Sequence, residues 1–345
     1  MGGPAARRID LEDSLDAIND DYYARGWTDG LPIIPPTEAR VQRMLAGTRR
    51  APGDLIGIMP PHQGQVTVEK VAVNAVMAGC LPSYLPVLLT AVEIVCEPSF
   101  NLYGLQATTN PGGPMLILNG PVRQELDVNC GHGCLGPGRR ANASIGRAVR
   151  LCLVNLGGAV PGIADKATHG FPGKYSFCFG ENEEESPWEP LHQERGQPKE
   201  TSAVTVGAAA GTDNILDSSD STADGLLTTL ASGMKSHGSN PMVHPGAYPT
   251  LVMSPEHAII LAREGLTKAD ARQQLWERTG VPLEAFSPEL LRKRISKDRG
   301  NITAGLARPL VTPEDLTVVV AGGAGAHSVW VNTFSCPSVT RPIGV

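Results

Sequence analysis

PMLILNGPVRQEL at 114–126 and PTLVMSPEHAIIL at 249–261 decide the reading of this chain. Each is a short, unbroken apolar run, then a break carrying Gly or Pro, then a helical pattern. Such a run, bounded by turn residues, marks a strand buried on both faces. A strand followed at once by a helix is the building unit of α/β folds. The order recurs elsewhere: KYSFCFGEN at 174–182 matches LTVVVAGGA at 316–324, and LIGIM at 55–59 matches AVTVG at 203–207. Matched segments recur at a spacing of about 140 residues, within the variation of a loop. The expected fold is α/β, built as two related α/β halves by internal duplication, with an N-terminal helical and proline-rich arm.

Four regions follow from this. Residues 1–50 form the arm, 51–185 the first half, 186–200 a linker rich in charge and Pro, and 201–345 the second half. Within the arm, 14–25 read as an amphipathic helix stopping at Gly26. GWTDGLPIIPP at 26–36 cannot be regular structure, because Pro32, Pro35 and Pro36 fix φ and lack a donor. Thr37 then caps a second helix. Further helices are expected at 67–80, 83–97, 141–156, 222–235 and 267–278, and strands at 103–109 and 114–119.

Composition narrows the class. The 345 residues include 39 Gly and 29 Pro, without the period of collagen, and a hydrophobic content of 41% that supports a core. The surplus therefore belongs to turns and loops. A net charge of −6 argues against a general nucleic-acid binder. No apolar stretch is long enough to span a membrane. The first 13 residues carry Arg7, Arg8, Asp10, Glu12 and Asp13 and no apolar h-region, so no export signal is expected. Seven scattered cysteines then suit reduced thiols in the cytoplasm.

Chemistry-bearing residues concentrate in three places. NCGHGCLGPGRR at 129–140 supports three readings. Cys130, His132 and Cys134 alternate, and thiolates with an imidazole suit a transition metal, the one cofactor these residues suggest. The glycines could instead open a helix whose N-terminus holds an anion, with Gly136, Gly138, Arg139, Arg140 and Asn142 as its binding residues. The third reading is a structural turn. At the end of the strand in KYSFCFGEN, Glu181 is a candidate general base and Asn182 a binding residue, because ligands gather beyond strand carboxyl ends. In SHGSNPMVH at 236–244, His237 and His244 are candidate proton carriers. Cys130 or Cys134 would be a nucleophile if the site is thiol-based.

The expected function is a cytoplasmic enzyme that cleaves a small anionic substrate, by lysis or hydrolysis, in a pocket between the halves. A metal-binding protein using Cys130, His132 and Cys134 is an alternative. Neither nucleic acid nor a membrane is an expected partner, and an oligomer is compatible with all of this.

GWTDGLPIIPPT (26–37), TVEKVAVNAVMAGC (67–80), LGPGRRANASIGRA (135–148) and KYSFCFGENEEESPWEP (174–190) resemble a bacterial family associated with small thiol or selenol redox proteins of the U/C-G-S-C type. Those small proteins are similar to a segment of the glycine-reductase selenoproteins. The resemblance covers most of the chain. It implies an enzyme or enzyme subunit, and a second alternative: a subunit of a thiol/selenol redox complex. This chain has no C-G-S-C, so a small partner protein would supply the reactive thiol. The family usually lacks the Cys130 and Cys134 pair, so a metal site there would be particular to this chain.

Overall fold

The computed structural model describes residues 6–244, 246–334 and 336–344. The first five residues of the arm and Pro245 beside the histidine loop lie outside them.

Two four-stranded sheets organise the described residues. In the first, β3 (Gly113–Asn119) lies between a parallel β4 (Cys178–Gly180) and an antiparallel β5 (Ala203–Ala209), and β13 (Val339–Pro342) pairs antiparallel with β5. In the second, β7 (Thr250–Met253) lies between a parallel β11 (Thr317–Val320) and an antiparallel β12 (His327–Asn332). There β6 (Gly211–Leu216) pairs antiparallel with β12. The fold is mixed α/β, and the two opening stretches supply the inner strands β3 and β7.

Alternation along these strands explains why no polar face interrupts them. Leu116 and Leu118 face the helices Val68–Ala78, Leu85–Cys96 and Arg140–Asn155 in one core. Met115 and Ile117 point the other way, into a core shared with Val252, Val319 and Val331 of the second sheet. Leu251, Met253 and Val318 meet the helices Ala223–Gly233, Pro255–Arg263 and Lys268–Arg278. The layers therefore run helix, sheet, sheet, helix. The inner strands β3 and β7 are buried on both faces, and each fully buried Leu or Ile contributes roughly 1.5–3 kcal/mol of transfer free energy.

The halves are interlocked. β5 passes through Ala210 directly into β6 of the other sheet, and the Ala210 N–H donates to Asn332 O at 2.7 Å. β12 returns the exchange by leading to β13 of the first sheet. The first sheet thus draws strands from both sides of the expected 186–200 linker, whereas all four strands of the second lie after it.

Two sequence expectations are corrected. LIGIM forms β1 (Leu55–Met59), which pairs with β2 (Gly64–Thr67) in a separate hairpin, whereas AVTVG lies in β5 of the first sheet. Gly57 of that hairpin lies against the Cys96 side chain, and Leu55 is 56% exposed, so β1 is a surface strand. Residues 103–109 are not a strand. Leu102–Gln106 is a short helix with Leu102 and Leu105 buried three residues apart, a helical and not an alternating period.

The arm wraps the first half as expected. After the helix Leu15–Ala24, Asp29 takes two hydrogen bonds from Arg147, and Ile34 N–H donates to Met77 O. A small satellite sheet, β8 (Val281–Pro282), β10 (Leu306–Ala307) and β9 (Ile302–Thr303), has its own core around Met242, Phe286 and Ala307. Among the described residues no helix is long and apolar enough to cross a membrane.

Candidate functional site

The Cys-rich loop and the end of β4 come together, but as a clasp between the sheets. Residues 131–136 make successive turns, with Cys134 N–H donating to Gly131 O and Gly136 N–H to Gly133 O. Alternate residues of a turn do not share a face, so the C-x-H-x-C pattern does not converge. Cys130 Sγ lies over Gly180, the His132 ring covers Gly323, and Cys134 is buried in the core between the sheets. Among the described residues no group of three or more His, Cys, Asp or Glu side chains is arranged to hold a metal ion. Burial raises the Cys130 thiol despite the opposing pull of Arg123, and pushes Cys134 up to about 11.

The loop's polar groups are engaged in holding it. Asn142 accepts from Asn129 N–H at 2.8 Å and donates to Asn129 O and Cys134 O at 3.0 and 3.3 Å. Gly322 N–H donates to Cys130 O at 2.8 Å, and Asn182 N–H donates to Val320 O at 2.7 Å, which ties the loop and β4 to β11. Arg139 pairs with Asp127 at 2.8 Å, and Arg140 donates to Gly79 O at 2.9 Å. Gly136 and Gly138 are exposed on the same loop. Asn142 is thus consumed by the loop, and Arg139 and Arg140 each already have a partner here.

Glu181 is fully buried. Its Oε2 accepts from Asn119 Nδ2 at 2.6 Å and Leu191 N–H at 2.8 Å, while Lys268 Nζ stands 3.9 Å from Oε1. Burial raises its carboxyl more than Lys268 lowers it. His237 and His244 lie apart from this group. His237 meets the Phe286 ring edge-on in the satellite core, and His244 Nδ1 lies 3.0 Å from Lys297 Nζ. Burial and that ammonium lower the His244 imidazole. The space between the sheets is filled by apolar side chains, apart from a groove of about 440 Å³ at its rim beside Phe171, Phe177 and Asn214.

A cleft of about 770 Å³ opens elsewhere. It lies between the arm at 26–30, the last turns of the helix Arg140–Asn155, and the loop 160–175. Gly162 holds a positive φ of 78°, and its N–H donates to Asp165 O at 2.8 Å, which turns the Asp165 side chain to the cleft floor. There Asp165 Oδ2 accepts from Lys174 Nζ at 2.6 Å and from Arg150 Nη2 at 3.3 Å. Oδ1 accepts from Ala167 N–H at 3.2 Å. Two cations share one carboxylate, while Asp29 at the rim is neutralised by Arg147.

Arg150 is 9% exposed and makes that one hydrogen bond among the described residues. A guanidinium has five donors, and Arg150 lines the cleft with more of them than Asp165 uses. Burial lowers both Arg150 and Lys174, against the pull of Asp165. The mouth carries Tyr23 and Tyr175, which are 69% and 54% exposed, with His169 and Phe171 between.

Sequence reasoning missed this cleft. One signal was present: Arg147 and Arg150 sit three apart, on one face of an otherwise apolar helix end. Asp165 belongs to no motif, and Lys174 only opens the KYSFCFGEN stretch, where the carboxylate end drew the reading. No family model matches the chain, and no curated protein matches it.

Proposed function

We propose that this chain is an enzyme acting on a small anionic substrate, bound in the arm-covered cleft by Arg150 and cleaved by lysis or hydrolysis with Lys174 moving the proton. One observation carries the reading: a nine-tenths-buried guanidinium with spare donors, beside an ammonium, over a single shared carboxylate. An anionic oxygen would take the unused N–H groups in charge-assisted bonds. The excess positive charge would favour a carboxylate or phosphate, and the low basicity of Lys174 suits it to proton transfer near neutral pH. The reading also takes the two sheets as related halves. Their common strand order and directions support that, as does the matched facing of Ile117 and Val252 into the shared core.

The test is ligand-induced thermal stabilisation with acetate, malonate and phosphate. The wild type and Arg139→Ala should be stabilised equally, and Arg150→Met should lose the effect while retaining its far-UV circular dichroism. Equal stabilisation of Arg150→Met, or none in the wild type, would remove the cleft as the site.

A further inference from the structure

We propose that Lys174 forms an imine with the carbonyl carbon of a 2-oxo acid whose carboxylate is held by Arg150. This rests on reading the cleft as the anion site, and adds the substrate class and a covalent step. The warrant is geometric. Lys174 Nζ and Arg150 Nη2 approach the same atom, Asp165 Oδ2, at 2.6 and 3.3 Å. The two nitrogens are therefore neighbours over one oxygen. An acid with its carbonyl on the carbon next to the carboxylate matches that spacing: the carboxylate on the guanidinium sets the carbonyl carbon over the amine. A 2-hydroxy acid would bind the same cation without offering an electrophile.

The lysine also meets the chemical requirements. A nucleophilic amine must be neutral, and desolvation beside another cation favours that form. Burial is the first cause lowering Lys174, and Arg150 adds to it. Every other charged group at the floor is already named: Asp165 opposes the shift, and Asp29 is engaged by Arg147. Asp165 would be the proton carrier. The neutral amine adds to the carbonyl carbon, and the C=O electron pair moves to oxygen, which takes a proton as nitrogen gives one up. Asp165 returns a proton to the hydroxyl, water leaves, and the nitrogen lone pair closes the C=N bond. The proton Asp165 returns is the one it first takes from the Lys174 ammonium, so the net change is ammonium plus ketone to protonated imine plus water, with no oxidant or reductant. The protonated imine can accept the pair from a broken adjacent bond, and hydrolysis restores Lys174.

The experiment uses the full chain with pyruvate and sodium cyanoborohydride, followed by intact mass measurement and peptide mapping. The expected result is one carboxyethyl group per chain, on Lys174. Lys174→Arg keeps the cation beside Asp165 and should show no adduct. Arg150→Met should react about tenfold less, as expected for loss of a charge-assisted contact. Lactate should compete with pyruvate and leave no adduct itself. Labelling spread over other lysines, or equal labelling in Lys174→Arg, would overturn the proposal. Arg150-dependent stabilisation by pyruvate without any adduct would sink the imine and leave the anion site standing. Neither stabilisation nor adduct would sink both.

Discussion

Glu181 and Lys174 carry opposite lessons about buried charge. Both are ionisable groups taken partly or wholly out of water, but only one faces a cavity. Glu181 spends its carboxylate on Asn119 and Leu191 and joins β3 to the segment after β4. Its carboxyl is raised by burial, so the folded chain binds that proton more tightly than the unfolded chain does. Stability from this group is thus full below the ordinary carboxylate range and is lost as pH rises to the raised value. Glu181→Gln keeps an acceptor for both donors and removes the ionisation. From about pH 4 to about pH 7, urea denaturation should show the Gln variant gaining stability relative to the wild type. Parallel curves would show that ionising Glu181 costs the fold nothing. Glu181→Leu strands the Leu191 N–H, leaves Asn119 Nδ2 with Glu183 alone, and should cost about 1–3 kcal/mol for the unsatisfied group. Sequence placed Glu181 at the strand end correctly by position. It could not show that Leu191, ten residues on, would fold back and occupy the carboxylate.

At the scale of the element, the helix Arg140–Asn155 serves three surfaces at once. Its apolar face covers the first sheet, Asn142 clamps the Cys-rich loop, and Arg147 and Arg150 meet the arm and the cleft. Gly146 lets the helix approach the chain entering β4 closely. A Cβ there would overlap Ser176 Oγ and lie 2.7 Å from Phe177 N, at the entry to β4. Gly146→Ala should therefore destabilise by about 1–3 kcal/mol, although alanine improves helix propensity by up to about 1 kcal/mol. Chemical denaturation of the variant checks this, and a net gain in stability would mean that the contact yields. The helix itself was legible from its period. Its contacts were not, because Ser176, Asp165 and Lys174 are set by a loop whose path the local sequence does not encode. The same holds for residues 130–134, where an alternating pattern suggested an extended segment and glycines instead produced consecutive turns.

For the whole molecule, the exchange of β6 and β13 is what joins two sheets into one body. Their strand interiors were readable because both faces are buried and the apolar runs are unbroken. The exchange was not readable, since β5 and β6 are separated by Ala210 alone and nothing local says that the second strand changes sheet. An interlocked pair should unfold as one cooperative unit, because the first sheet keeps only two of its four strands without residues 201–345 and shares a core with the second sheet. We therefore expect the fragment 1–200, expressed without 201–345, to lack a cooperative thermal transition. It would lose β5 and β13, leaving β3 with only the three-residue β4, and the fragment 201–345 would keep β5 without its partner β3. Mixed at equal concentration from denaturant, the two fragments should regain the circular dichroism and single transition of the intact chain, since every strand pairing can form without the covalent link at 200. A fragment 1–200 that melts cooperatively alone would show that β3 and β4 form a stable unit without β5 and β13, and that these strands add to it without creating it.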